Sequence, residues 1–365
     1  MPSLVSFAGA PASVTLALCR WQALTDKLEI EKPLAYLDQN VLDLFVKGEV
    51  FEFMEEIASR FHVVYSDETL KEISRSGEYD VNFIGVLKRL KAYHIRLKTE
   101  EGSFLIRGGA TVNGSDPDHI YREYINNKSS AEDIISSGNK WLHKFFGGRP
   151  GESFSSIYDE QRLAFEALLG EMDSHTKDAE KEFSGIREVI DSKRQEMLRQ
   201  FESAMGEIEE RMQRDIGDGL EWSGVNDFRK GIELGPAELN NIEPPNVVKK
   251  IWELVQTNER KLSSVSLEEF LSFAKAPAQP ERSLHAFEKV HAIYHMLNMV
   301  GYFPDSKQHK ERRFIAAQSD AGHAAMASFC DMVFSRDERF VKKLGAALEY
   351  LEIETLVCFV RLKGA

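Results

Sequence analysis

Four acidic residues stand where an α/β chain concentrates its chemistry: Asp38, Glu72, Asp320 and Asp337. Asp38 ends the short apolar run Leu34-Ala35-Tyr36-Leu37, as the residue after a buried parallel strand would. Glu72 falls in the first turns of the helix expected after a second such run. Asp320 reads as opening a helical segment with Ser319 as its cap, and Asp337 follows the run Met332–Ser335. Open parallel sheets place their sites beyond the C-terminal ends of their strands, so these acids are expected to share one edge. Carboxylates gathered in one place repel each other unless a cation neutralises them. Hard oxygen donors select Mg²⁺ or Mn²⁺. Such an ion lowers the pKa of a bound water and offsets charge on phosphoryl oxygens, which is the chemistry of metal-assisted hydrolysis. His323 follows Asp320 by three residues on the same helical face, where it either hydrogen-bonds in the core or supports the ion from behind. Asp331 is a further supporting acid, at the entrance of its strand rather than the exit, which favours a structural role.

The elements that must position these groups follow from hydrophobic patterning. Residues 34–38 and 61–66 read as strands, with amphipathic helices after each. Ser66 or Asp67 caps the second helix, and a further helix covers Asn82 to Tyr93. Residues 101–118 hold Gly102, Gly108, Gly109, Gly114 and Pro117, which is loop chemistry. From Ser155 to about Ile216 the apolar positions step mostly by three or four, predicting long hairpin or coiled-coil-like helices. Two more helices are expected at 245–260 and 266–275, then a Pro-rich corner at 276–280. Helices at Ser283–Val300, Arg313–Phe329 and Phe340–Leu351 alternate with strands at Met332–Ser335 and Thr355–Leu362. The expected organisation is an N-terminal extension at 1–33, an α/β domain built from 34–100 and 283–365, and an all-α insertion at 101–282.

Composition bounds what such a chain can do. Its 365 residues are 42% hydrophobic with 23 Phe, which excludes wholesale disorder. No apolar run approaches the ~20 residues of a membrane span. The net charge of −13 excludes a general nucleic-acid coat, so nucleic acid must be met through local basic patches. Cys19, Cys330 and Cys358 form no CxxC pair and suit reduced thiols in the cytoplasm. The first twenty residues have a faint secretory look but lack its positively charged start.

Four blocks in order carry a family resemblance. Leu37-Asp38-Gln39-Asn40-Val41-Leu42 resembles the opening motif of PIN-domain nucleases. Tyr65-Ser66 through Glu72-Ile73 resembles their second block, a strand, a serine and a helix bearing the glutamate. Ser319-Asp320-Ala321-Gly322-His323-Ala324 is similar to the third, and Phe334-Ser335-Arg336-Asp337 with Phe340 to the last. The resemblance covers roughly 150 residues on the two flanks, about one domain. It implies a three-layer αβα domain on a central parallel sheet that cuts phosphodiester bonds with Mg²⁺ or Mn²⁺, most often in RNA rather than DNA. Asp38, Glu72, Asp320 and Asp337 would be its catalytic and metal-binding quartet, with Asn40 and Ser335 as polar supporters. Glu72 and Asp320 lie about 250 positions apart, whereas compact members of the family use only a few helices there. The insertion is expected to cover the site, hold a protein partner, mediate self-association or grip a particular nucleic acid. A triggered RNA-cutting effector of bacterial defence or stress, in the manner of a toxin or antiviral nuclease, suits such an architecture.

Two basic stretches bear on the substrate. Lys88, Arg89, Lys91, His94, Arg96 and Lys98 form one. Lys307, Lys310, Arg312 and Arg313 form the other, which runs into the helix of Asp320 and is expected to contact phosphates. His291 and His295 have the spacing of a zinc pair but lack the glutamate of a metalloprotease helix, so packing is the simpler expectation. Two alternatives compete with a nuclease. One is a haloacid-dehalogenase-like phosphatase, whose second aspartate is replaced here by Asn40, an amide that cannot transfer the proton. The other is an idle PIN-like scaffold or nucleic-acid-binding protein whose insertion binds partners.

Overall fold

The computed structural model describes residues 32–99, 106–179, 186–271 and 282–362. The N-terminal extension through residue 31, Cys19 and the Pro-rich corner at 276–280 lie outside the described residues. The chain runs β1 (Leu34–Leu37), α1 (Gln39–Val46), α2 (Phe51–Arg60), β2 (His62–Tyr65), α3 (Asp67–Arg75), α4 (Asp80–Arg89), β3 (Tyr93–Thr99) and β4 (Ile106–Asn113). Three long helices follow, α5 (Pro117–Phe145), α6 (Phe154–Ala179) and α7 (Ile186–Ile216), then α8 (Val225–Gly231), α9 (Pro236–Leu239), α10 (Val247–Asn258) and α11 (Leu267–Leu271). The chain closes with α12 (Ala286–Val300), α13 (Glu311–Ala327), β5 (Met332–Ser335), α14 (Glu338–Tyr350) and β6 (Leu356–Phe359).

The six strands form one sheet in the order β4-β3-β2-β1-β5-β6, parallel except for the β3–β4 edge pair. From β1 the chain winds outward to β2 and β3, and it later returns on the opposite side of β1 through β5 and β6. The direction of winding therefore reverses between β1 and β5. Such a switch point leaves a crevice beyond the strand ends, because the crossover connections on its two sides lead away from each other.

Alternation along each strand builds helical layers on both faces of the sheet. Tyr36, Val64 and Val333 point to one side, into a core made with α10, α12, α13 and α14. Ala35, Leu37, Val63, Tyr65, Met332 and Phe334 point to the other, against α1, α3 and α4. The protein is a mixed α/β structure with a mostly parallel central sheet between helices. The long helices keep a small separate core of Trp141, Phe154, Ile157 and Met205, and Phe165 stacks on Phe201 across α6 and α7 at 4.4 Å. No helix among the described residues is long and apolar enough to cross a membrane.

Three expectations are corrected. Residues 101–118 were expected as loop, and the described part instead contains β4, an edge strand paired antiparallel with β3 in register Ile95↔Val112. Its glycines are compatible with an edge that lacks a core-facing stripe, and Gly108 leaves room for His285, which a Cβ there would hit. The helix expected to reach Tyr93 stops at Arg89, and Tyr93 opens β3. Third, Asp320 does not open a helix. Ser319 and Asp320 lie in the middle of α13, which begins at Glu311, so Ser319 caps nothing and is instead fully buried.

Candidate active site

The switch point is where the acids gather. Asp38 leaves β1 as the N-cap residue of α1, and its backbone N–H donates to Phe334 O of β5 at 3.0 Å. Two residues beyond β5, Asp337 caps α14, accepting from the amides of Arg339 at 2.7 Å and Phe340 at 3.2 Å. Ser335 joins the two ends: its hydroxyl donates to Asp38 Oδ2 at 2.5 Å and accepts from the Asp337 amide at 3.0 Å. The Asn40 amide donates to the same Asp38 oxygen at 2.5 Å and to Ser335 Oγ at 3.2 Å, while its carbonyl accepts from the Arg336 amide at 2.8 Å. All of these groups come from the ends of β1 and β5 or the chain just past them, and the sheet holds the two strands side by side.

Glu72 enters from α3, capped by Ser66, whose amide donates to Thr69 Oγ1 at 3.2 Å. His323 of α13 fills the space between Glu72 and the sheet. Its Nε2 lies 3.3 Å from Glu72 Oε2, and its Nδ1 lies 2.6 Å from the hydroxyl of Tyr36 in β1. The Tyr36 hydroxyl also meets Ser66 Oγ at 2.7 Å. Tyr36, Ser66 and His323 are shut off from solvent, so each relies on the others for its polar partners.

Electrostatics divide the acids into two kinds. Burial alone would raise Glu72, but the His323 charge, hydrogen bonds from His323 and Ser319, and Arg75 outweigh it and hold the carboxyl below its usual range. Burial opposes a charged His323, yet the Tyr36 oxygen together with Glu72 and Asp38 keeps the imidazole pKa well above 6.5. Asp38 is raised, first by burial, with Glu72 adding to it against His323 and Ser335. Asp320 is raised well above its usual range: burial comes first, the charges of Asp305, Asp38 and Glu72 add to it, and Lys343 opposes. No hydrogen bond from a described residue reaches the Asp320 carboxylate. Its neighbours in charge are mostly other acids, the situation a bound cation would relieve. Among the described residues, no three His, Cys, Asp or Glu side chains stand close enough together to form a ready-made metal cage.

Several partners in this site were not anticipated from sequence. Lys343 of α14 is fully buried, 2.7 Å from Asp305 Oδ2 and 3.1 Å from Asn298 Oδ1, with its ammonium 4.2 Å from the centre of the Tyr294 ring. Burial lowers its pKa, while Asp305, Asp320 and Asp337 pull the other way. The one available signal was its spacing: Lys343 lies three residues after Phe340 and four before Ala347, on the face of α14 that enters the core. Asp305 sits in the loop after α12 and carries no such pattern.

The remaining expected residues lie elsewhere. Asp331 is at the opposite end of β5, where its carboxylate accepts from the Leu34 amide at 2.7 Å and ties β1 to β5. It does not join the acidic group. Lys307, Lys310, Arg312 and Arg313 are exposed along the approach to α13 and form no ion pair with a described residue. In the other basic stretch, Lys88 pairs with Asp116 and Asp118, and buried His94 lies 2.9 Å from Asp67. His291 and His295 pack edge-to-face at 4.5 Å in α12. No known protein family, curated protein or solved structure matches the chain.

Proposed function

We propose that this protein is a PIN-like, divalent-metal-dependent nuclease that hydrolyses phosphodiester bonds, and that its substrate is RNA. The observation that carries the reading is the convergence at one switch point of acids from opposite ends of the chain, with Asp320 held mostly among like charges and with no hydrogen-bond donor among the described residues. The donors suit Mg²⁺ or Mn²⁺ in kind, since all are carboxylate oxygens. Asp38, Glu72, Asp320 and Asp337 would hold the ion, and it would supply an acidified water and charge stabilisation at the phosphate.

The chain's own residues have distinct tasks in this reading. Ser335 and Asn40 orient the Asp38 carboxylate by donating to one oxygen. His323 fixes Glu72 in its ionised form, and Tyr36 fixes the ring of His323 in turn. The α14 N-terminus, capped by Asp337, points positive peptide charge toward the site. Lys343 balances part of the negative charge from beneath. A phosphatase of the haloacid-dehalogenase kind would need an acid at position 40. Asn40 instead spends its amide on Asp38 and its carbonyl on Arg336. The buried thiols Cys330 and Cys358 suit a reducing compartment, and the reading places the enzyme in the cytoplasm.

Single-turnover digestion of end-labelled RNA and single-stranded DNA with Mn²⁺, run beside Asp320→Asn, tests the proposal. Metal-dependent RNA cleavage that disappears in the variant is expected. Absence of metal-dependent cleavage of either polymer overturns it and favours a scaffold.

A further inference from the structure

A cleft of about 620 Å³ opens where the long-helix region meets the sheet domain. Its size falls within the roughly 300–1,000 Å³ typical of ligand sites. Phe146, Trp222 and Phe303 make up its aromatic wall, and the loop from Phe303 to His309, which joins α12 to α13, lines it too. Trp222 is fixed by its indole N–H, which donates to Phe145 O at 2.9 Å. Phe303 is held by its amide on Asn240 Oδ1 at 2.7 Å, in a left-handed conformation with φ +42° that a bulky aromatic rarely adopts. Lys307, in the same loop, has φ +59°. Backbone held in such sparsely populated regions clusters where a surface is shaped for a ligand.

The cleft adjoins the acidic site. Arg339, in the first turn of α14 beside Asp337, lines it. So does Asp305, whose carboxylate grips Lys343. Helix α13 starts from the same loop and carries Asp320 about 14 Å further along its axis, at 1.5 Å per residue.

We infer that this cleft takes one nucleotide of a single strand, with the base against the aromatic wall and a phosphate at Lys307 and Arg339. Stacking accepts any base with an exposed face, whereas a base paired within a duplex cannot leave its partner without cost. The charge distribution agrees with a polyanion. In a chain of net charge −13, Lys307 and Arg339 make no ion pair with a described residue, and Lys310, Arg312 and Arg313 continue the same unneutralised strip. Gln308, a buried lining residue, donates to Asp305 O at 3.2 Å and leaves its Oε1 without a partner. An unmet acceptor of that kind is costly unless a donor reaches it, and the N–H groups on base edges are such donors. The inference deepens the nuclease reading, on which it rests for the ligand's identity: the long-helix region makes the enzyme selective for unpaired strands.

Binding is measured on the full chain carrying Asp38→Asn, without divalent metal, by fluorescence anisotropy of a labelled 12-nucleotide RNA. The strand remains whole, so a failed cleavage assay and a failed cleft are separate results. Trp222→Ala is expected to weaken binding about tenfold, the scale of one lost stack. Lys307→Glu is expected to weaken it similarly and to lower the salt dependence by about one phosphate contact. An unlabelled 12-base-pair duplex is expected to compete at least about tenfold less well than the single strand, in line with the lost stacking energy. Lys307 is exposed, so its substitution decides the question even if Trp222→Ala fails to fold. Unchanged binding in Lys307→Glu, equal competition by the duplex, or no binding by the parent chain overturns the inference.

Discussion

Asp38 and Ser335 stand 297 positions apart in the chain and 2.5 Å apart in space. That contact brings the two ends of the chain to one point, and the site's chemistry depends on it. Asp38→Asn keeps the shape and the neighbours but removes the charge. It is expected to abolish Mn²⁺-dependent cleavage while leaving the unfolding free energy in urea within about 1 kcal/mol of the parent, because burial already works against the Asp38 charge. Ser335→Ala keeps the charge and frees its orientation, and is expected to lower the single-turnover rate by about 10–100-fold, the scale of losing a ligand's hydrogen-bonded support. Parent-like cleavage by Asp38→Asn would remove this residue from the site.

The relay from Ser66 through Tyr36 and His323 to Glu72 makes a different prediction, on stability. Tyr36→Phe removes one oxygen that serves both Ser66 and His323, neither of which can turn to water. A loss of about 1–3 kcal/mol is expected in urea unfolding, the cost of buried polar atoms left unmet. A phenylalanine variant as stable as the parent would mean that ordered water replaces the hydroxyl.

How much of this was legible in the sequence depends on where the determining information lies. Asp38 and Asp337 were readable because each closes a short apolar run, and a parallel strand advertises its own exit. Strand β4 was not. It is an edge strand that keeps neither face in the core, so its Gly-rich sequence shows no alternation and looks like a loop. Serine before aspartate is a cap signature, which suggests a helix start at Asp320, although the apolar spacing over Arg313–Phe329 already carries one helix through both residues, and α13 runs on across them. Asp305 was out of reach, since its partner lies 38 positions away on another element.

Lys343 and Asp305 form a buried pair, and the two substitutions should not be additive. Lys343→Met leaves the buried Asp305 carboxylate without its cation, although Asn298 Oδ1 keeps the Asp305 amide as a donor at 2.8 Å, at an expected cost of about 3–5 kcal/mol. Asp305→Asn made in that background removes the stranded charge and is expected to recover most of the loss. Urea midpoints of the parent, both single variants and the double variant close the cycle. Additive effects would show that Lys343 is held by the Tyr294 ring and by packing instead of by the ion pair.

Acid should weaken the fold through α12. Burial depresses His291 to about 4, with Glu288 opposing, and places His295 well below its usual value, where the charges of His291 and Lys343 add to the effect. In the unfolded chain both titrate near 6.5, so between about 4 and 6.5 the unfolded state binds more protons than the folded one. Stability contributed by the neutral rings is therefore complete above about pH 6.5 and is lost progressively as pH falls toward 4, by on the order of 2–3 kcal/mol for His291. Asp38 and Asp320, whose values are raised, run in the opposite sense, so the useful readout is a difference. Unfolding free energies of the parent and His291→Gln, measured across pH 4.5–7.5, are expected to converge toward low pH as the parent alone gives up this term. Parallel curves would mean that His291 takes up its proton in the folded protein and that the edge-to-face packing with His295 opens to let it.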